Sequence, residues 1–127
     1  MSAEVQSVVR TLTQAQINAY ADASGDHNPI HVDEGYARST PFEGTIAHGM
    51  LVLALIGEMM FGAFGEAWSA GGKLKVRFKA PTRPGDTVTA SAQLTKAAGG
   101  VSEYAVQCAN QRGEVLIEGR ATVGAAA

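Results

Sequence analysis

At 127 residues the chain is long enough to bury a real core but too short for two ordinary domains, and residues 1–127 read as one domain. A net charge of -2 with a pI near 5.9 supplies no basic field for nucleic acid. Hydrophobic residues at 46% and charged residues at 17% exclude the charge-rich composition of disorder.

The first ten residues, MSAEVQSVVR, carry an early Glu where a secretory leader needs a basic start and a continuous apolar run, so export is not expected. Val5 to Leu12 is rich in β-branched residues and predicts a short strand. Thr13 followed by Gln16 resembles a capping box that opens a helix through about Ala23. Ser24 to Val32 (SGDHNPIHV) gathers Gly, Asp, Asn and Pro, the composition of a loop, and Asp33 is placed to cap a helical turn through Ser39.

His48 to about Phe61 (HGMLVLALIGEMMF) is apolar at nearly every position, which predicts a central helix covered on most sides. The wider apolar stretch from Met50 to Phe64 is interrupted by Gly57, Glu58 and Gly62 and falls short of the roughly 18 residues a membrane span requires. Lys73 to Ala80 (KLKVRFKA) alternates, with Leu74, Val76, Phe78 and Ala80 opposite Lys73, Lys75, Arg77 and Lys79, as a half-buried strand does. After the turn PTRPGD, Thr87 to Lys96 predicts a strand and Ala98-Gly99-Gly100 a turn. Val101 to Asn110 then follows with Tyr104, Val106 and Cys108 on one face, and after Gln111-Arg112-Gly113 a last strand sets Val115, Ile117, Ala121 and Val123 together. Gly124 to Ala127 reads as a tail. Helices first and an antiparallel meander after them argue for α+β. A helix apolar all round leaves surface to cover, so a homodimer is expected. The single Cys108 cannot form an internal disulfide, which fits a reducing compartment, and the expected location is cytoplasmic.

YADASGDHNPIHVD (Tyr20 to Asp33) and FEGTIAHGM (Phe42 to Met50) resemble the signature of the MaoC-like, (R)-specific enoyl-CoA hydratases, and RFKAPTRPGDTVTA looks like that family's strand-turn-strand. The resemblance implies a single hot-dog fold, an antiparallel sheet wrapped around a central helix. It also implies interconversion of trans-2-enoyl-CoA and (R)-3-hydroxyacyl-CoA. Such chemistry needs a base for the attacking water, an acid for C2 and donors for the thioester oxygen. By resemblance Asp26 and His31 are the acid/base pair, with Asp26 assigned as base and His31 as its acid partner. The Gly49 N–H, at a helix start, is the oxyanion donor. Asn28, Phe42, Ile46 and Met50 are candidate substrate contacts, and Asn28 also suits a loop-fixing role. No cofactor is called for, coenzyme A being part of the substrate. An acyl carrier protein is the alternative thioester handle.

Two departures from the family pattern stand out: the N-terminal strand lacks a preceding Gly-Asp turn, and Gly57 occupies a place where some relatives carry a small hydroxyl residue. Asp26, His27, His31 and Asp33 also read as a possible metal cluster, but their spacing matches no metal motif and the chemistry needs none, so no metal is assigned. His27 and His48 are taken as structural, His48 as a helix-start residue. The Lys73, Lys75, Arg77, Lys79 stripe suits either a solvated edge or the phosphates of coenzyme A. The rival functions are a hot-dog thioesterase and a noncatalytic acyl-thioester-binding subunit.

Overall fold

The computed structural model describes residues 5–124; the end of the expected tail, residues 125–127, lies outside them, as does the start of the N-terminal segment. Five strands form one antiparallel sheet in the order β1-β3-β4-β5-β2, from β1 (Val8–Thr11), β2 (Lys73–Phe78), β3 (Thr87–Ala98), β4 (Val101–Ala109) and β5 (Val115–Gly124). Against it lie α1 (Gln14–Ser24), α2 (Pro29–Val32), α3 (Glu34–Arg38), α4 (Gly49–Phe64) and α5 (Glu66–Gly71).

The sheet curls around α4, which packs on β1, β3 and β4 and buries Val52, Leu55, Ile56, Met59 and Met60. Opposite them are Val88, Ala90, Tyr104, Val106, Cys108, Leu116 and Ile117, all within one core. This is the α+β hot-dog arrangement. Only the first half of β3 meets the helix; from Gln93 onward the strand is exposed. Burial is one-sided on α4, however. Met50 and Phe61 are 59% and 54% exposed, so the helix is not covered on most sides within this subunit.

Local signals operate as the residue types dictate. Thr13 and Gln16 form the reciprocal capping box at α1, and Asp33 caps α3 through the Tyr36 N–H. Gly99 and Gly100, both at positive φ, join β3 to β4 in a two-residue hairpin.

Four details differ from the sequence pattern. The expected loop contains α2, a single turn. A further helix, α5, follows α4 and lays Ala67 and Trp68 on the core. In β5, Leu116 and Ile117 are both buried because the register with β4 shifts between Cys108 and Ala109, which changes the inward phase. Phe78, in the apolar phase of β2, is 55% exposed: β2 is an edge strand whose end runs past the core. Among the described residues no helix is long and apolar enough to cross a membrane.

Candidate active site

The segment between α1 and α2 is built from caps. Gly25 closes α1 in the left-handed region (φ 81) and donates its N–H to the Ala21 carbonyl. Asn28 caps α2 by accepting from the Ile30 N–H, and Pro29 sits at the first helical position. Asp26 lies between these caps. Its N–H donates to Ser24 Oγ and its Oδ1 accepts from the Asn28 N–H at 3.2 Å, leaving Oδ2 free to face His31.

His31, on α2, is clamped on two sides. Its Nδ1 lies 2.8 Å from the Ile46 carbonyl and its own carbonyl accepts from Gln14 Nε2 at 2.8 Å. Behind this clamp, the buried Thr45 hydroxyl donates to Gln14 Oε1 at 2.7 Å and approaches Glu34 Oε2, while the Ile46 N–H donates to the Ile30 carbonyl. The Thr45 N–H bond holds the Glu34 carboxyl below its ordinary range, helped by the Thr45 hydroxyl and Arg38. A carbonyl can only accept, so His31 Nδ1 carries hydrogen and the neutral ring presents a bare Nε2.

That Nε2 is 3.9 Å from Asp26 Oδ2, with side-chain exposures of 13% and 54%. The separation is too long for a direct hydrogen bond. The gap is wide enough for one water about 2.8 Å from each atom to bridge it at roughly a right angle.

A cavity of about 360 Å³ opens beside His31. Of the residues expected to act, His31, Phe42, Ile46 and Gly49 are on its wall. Asp26, Asn28 and Met50 are not: Asp26 stands across the gap from His31, Asn28 spends its side-chain oxygen on the α2 cap, and Met50 projects into solvent beside Gly49. The Gly49 N–H is the first of α4, where no intrahelical acceptor is available. A Cβ at Gly49 would stand 2.9 Å from Phe78 Cε1, so the glycine lets the Phe78 ring approach the helix start closely. Phe78, Val52 and Ile117 complete the apolar wall, and sequence reasoning did not assign them to the site.

His27 pairs with Asp22 at 2.9 Å, chiefly through a hydrogen bond that raises its pKa, and Asp33 is engaged as a cap. The expected His48 helix-start role takes an unexpected form. The residue occupies the cap position but makes no side-chain capping bond there. Instead it joins Asp26 and His31 in a cluster whose ligand atoms lie within 4.8 Å of one another. The His31 and His48 rings are stacked, with centroids 3.9 Å apart and planes inclined by 23°. Rings so stacked cannot both aim an in-plane lone pair at one ion about 2.0–2.1 Å from each nitrogen, so the donor set is poorly shaped for a metal.

Residues 2–114 match the family described as MaoC like domain. Over 122 residues the chain is 38% identical to the (R)-specific enoyl-CoA hydratase of Rhodospirillum rubrum, spanning 92% of this chain and 82% of that protein. It is 43% identical over 88 residues to 3-hydroxyacyl-thioester dehydratase Z of Mycobacterium tuberculosis, a match covering 66% of this chain and 58% of the relative. Among solved structures, the (R)-hydratase from A. caviae involved in PHA biosynthesis aligns with a TM-score of 0.84 at 26% identity, covering 99% of this chain and 97% of that one.

Proposed function

The chain belongs to the MaoC-like family of hydratases and dehydratases, and from that premise we propose that it interconverts trans-2-enoyl and (R)-3-hydroxyacyl thioesters of coenzyme A through Asp26 and His31. The observation that carries the reading is the facing pair: a carboxylate oxygen and an imidazole nitrogen 3.9 Å apart, beside an apolar cavity, with the imidazole orientation fixed by the Ile46 carbonyl.

In hydration, Asp26 takes a proton from the bridging water as its oxygen bonds to C3 of the enoyl group. The electrons of the C2–C3 double bond move toward the thioester, whose oxygen accepts from the Gly49 N–H at the positive end of the α4 dipole. His31, protonated on Nε2, delivers its proton to C2, and its Nδ1–H to the Ile46 carbonyl steadies the imidazolium before that transfer. The turnover leaves Asp26 protonated and His31 neutral. The next water carries the proton back across the gap, and dehydration runs the same steps in reverse. Phe42, Ile46, Val52 and Phe78 offer the acyl chain an apolar wall.

The chain is taken to act as one domain paired in a homodimer. Support for the pairing is the exposed face of α4, where Met50, Ala54 and Phe61 recur at i, i+4 and i+11 and present apolar surface to solvent.

The test is absorbance of crotonyl-CoA followed beside a free-thiol assay. Loss of the enoyl band without thiol release, giving the (R)-product, is expected. Thiol release would identify a thioesterase instead. Inertness across short, medium and branched enoyl-CoA substrates, or an (S)-product, overturns the proposal. Parallel assays with acyl carrier protein thioesters decide the carrier, and light scattering decides the homodimer.

A further inference from the structure

His48 is the one buried histidine, 2% exposed, and the mechanism above leaves it without a task. Its ring lies between two others, stacked on His31 and edge-on to Tyr20 with centroids 4.8 Å apart. Its Nε2 is 2.9 Å from the Asp26 carbonyl oxygen, and since that oxygen can only accept, Nε2 carries the hydrogen. Its Nδ1 is buried with no hydrogen-bond partner.

Asp26 itself is exposed, and its other bonds, to Ser24 and Asn28, are to residues two places away on the same segment. They shape the segment but do not tie it to the core. The His48 bond bridges 22 positions and ends on a residue at the head of α4, whose inner face carries the core. The same ring sets the plane against which the His31 imidazole rests. Asp26 and His31 thus share one reference surface, and a Phe would supply that surface without the buried, unpartnered nitrogen. Burying a polar atom unpaired is destabilising, so stability alone does not favour imidazole over phenyl here.

From these contacts we infer that His48 is a positioning residue for the acid/base pair: its Nε2–H holds the Asp26 backbone while its ring face sets His31, fixing the gap in which the reacting water sits. This rests on the hydratase reading given above. A displacement on the order of 1 Å between reacting groups costs up to about 100-fold in rate.

The experiment compares His48→Phe, which keeps a ring and loses the donor, with His48→Gln, which restores a donor and loses the ring. In His48→Phe the melting temperature should stay near the parent's, kcat on crotonyl-CoA should fall about 10- to 100-fold, and KM should hold within about threefold. His48→Gln should recover at least about threefold of that kcat, because its amide reaches the Asp26 carbonyl. A folded His48→Phe with kcat within a factor of two of the parent, a loss confined to KM, or a His48→Gln no better than His48→Phe overturns the assignment. If His48→Phe does not fold, His48→Gln is read alone against the parent, and a loss confined to KM or a kcat below one-hundredth of the parent's overturns it.

Inactivity of the parent itself would refute the hydratase reading and leave positioning to be read by NMR. The Asp26 carboxyl carbon resonance should then move in His48→Phe and return toward the parent in His48→Gln. An unmoved resonance overturns the inference.

Discussion

Replacing Gly49 by proline removes the proposed oxyanion donor without breaking an intrahelical bond. His48, the residue before it, has φ -60 and ψ 134, the extended geometry that a residue preceding proline adopts. Gly49 is the first residue of α4, where a proline N lacks no intrahelical bond it would otherwise make. What proline adds is a ring, whose Cδ takes the place of the amide hydrogen and whose Cβ meets Phe78 Cε1 at 2.9 Å and Cδ1 at 3.2 Å. Gly49→Ala adds the same Cβ and keeps the N–H, so it separates the contact with Phe78 from the change at the backbone nitrogen. Phe78 is 55% exposed, so its ring can yield by tenths of an ångström. Alanine should therefore leave stability within about 1 kcal/mol, the helix-propensity gain offsetting ring displacement. It should raise KM by narrowing the wall. Loss of one oxyanion donor costs about 10²- to 10³-fold in kcat, or about 2.7–4 kcal/mol of transition-state stabilisation. The kcat ratio of the alanine to the proline variant reads that loss together with the Cδ that replaces the hydrogen, provided both melt near the parent. Equal kcat in the two variants would refute the oxyanion assignment, whatever the effect on KM.

Asp26→Asn and His31→Gln should each keep the fold and thioester binding and lower kcat by about 100-fold or more, with the double variant little worse than the weaker single; turnover of Asp26→Asn within a factor of a few of the parent would return Asp26 to a turn-forming role. Glu34, held below its ordinary pKa by the Thr45 N–H, stabilises the fold above the unfolded value and loses that contribution as pH falls through the lowered folded value. The melting-temperature gap between parent and Glu34→Gln should close across that acid window, and a pH-independent gap would count against the linkage. Cys108 is fully buried, with burial pushing its thiol up to about 12, so native protein should not react with a thiol reagent near neutral pH and should react once unfolded. Rapid labelling of the native state would show the thiol to be accessible.

The fold was legible where a local pattern answers to a local cause. Lys73 to Phe78 alternates because one face of β2 meets water, and Thr13 with Gln16 marks the start of α1 because those two side chains satisfy orphan N–H groups there. The turn α2 carried a signal too, an Asn cap followed by proline at the first helical position, but four residues give no periodicity to confirm it. β5 could not be phased from its own residues. Its change of face between Leu116 and Ile117 is set by a register shift against β4, a property of the pair of strands.

The site divides along the same line. Asp26 and His31 lie five positions apart, within a motif dense enough to be read, and the structure brings them to the same gap. Gln14, Thr45 and His48, which hold that gap, come from two segments, Gln14 from α1 and the other two from the stretch leading into α4. Nothing in a run of residues distinguishes a histidine that opens a helix from one that reaches back 22 positions to a loop carbonyl. Phe78 shows the converse. Its apolar phase predicts burial in the sheet, and its ring instead lies on Gly49 at the edge of the cavity, because β2 ends where α4 begins. A glycine with no side chain and a phenylalanine with half its surface in water each look unremarkable in sequence. Only their contact places both on the wall of one cavity, beside the first N–H of α4.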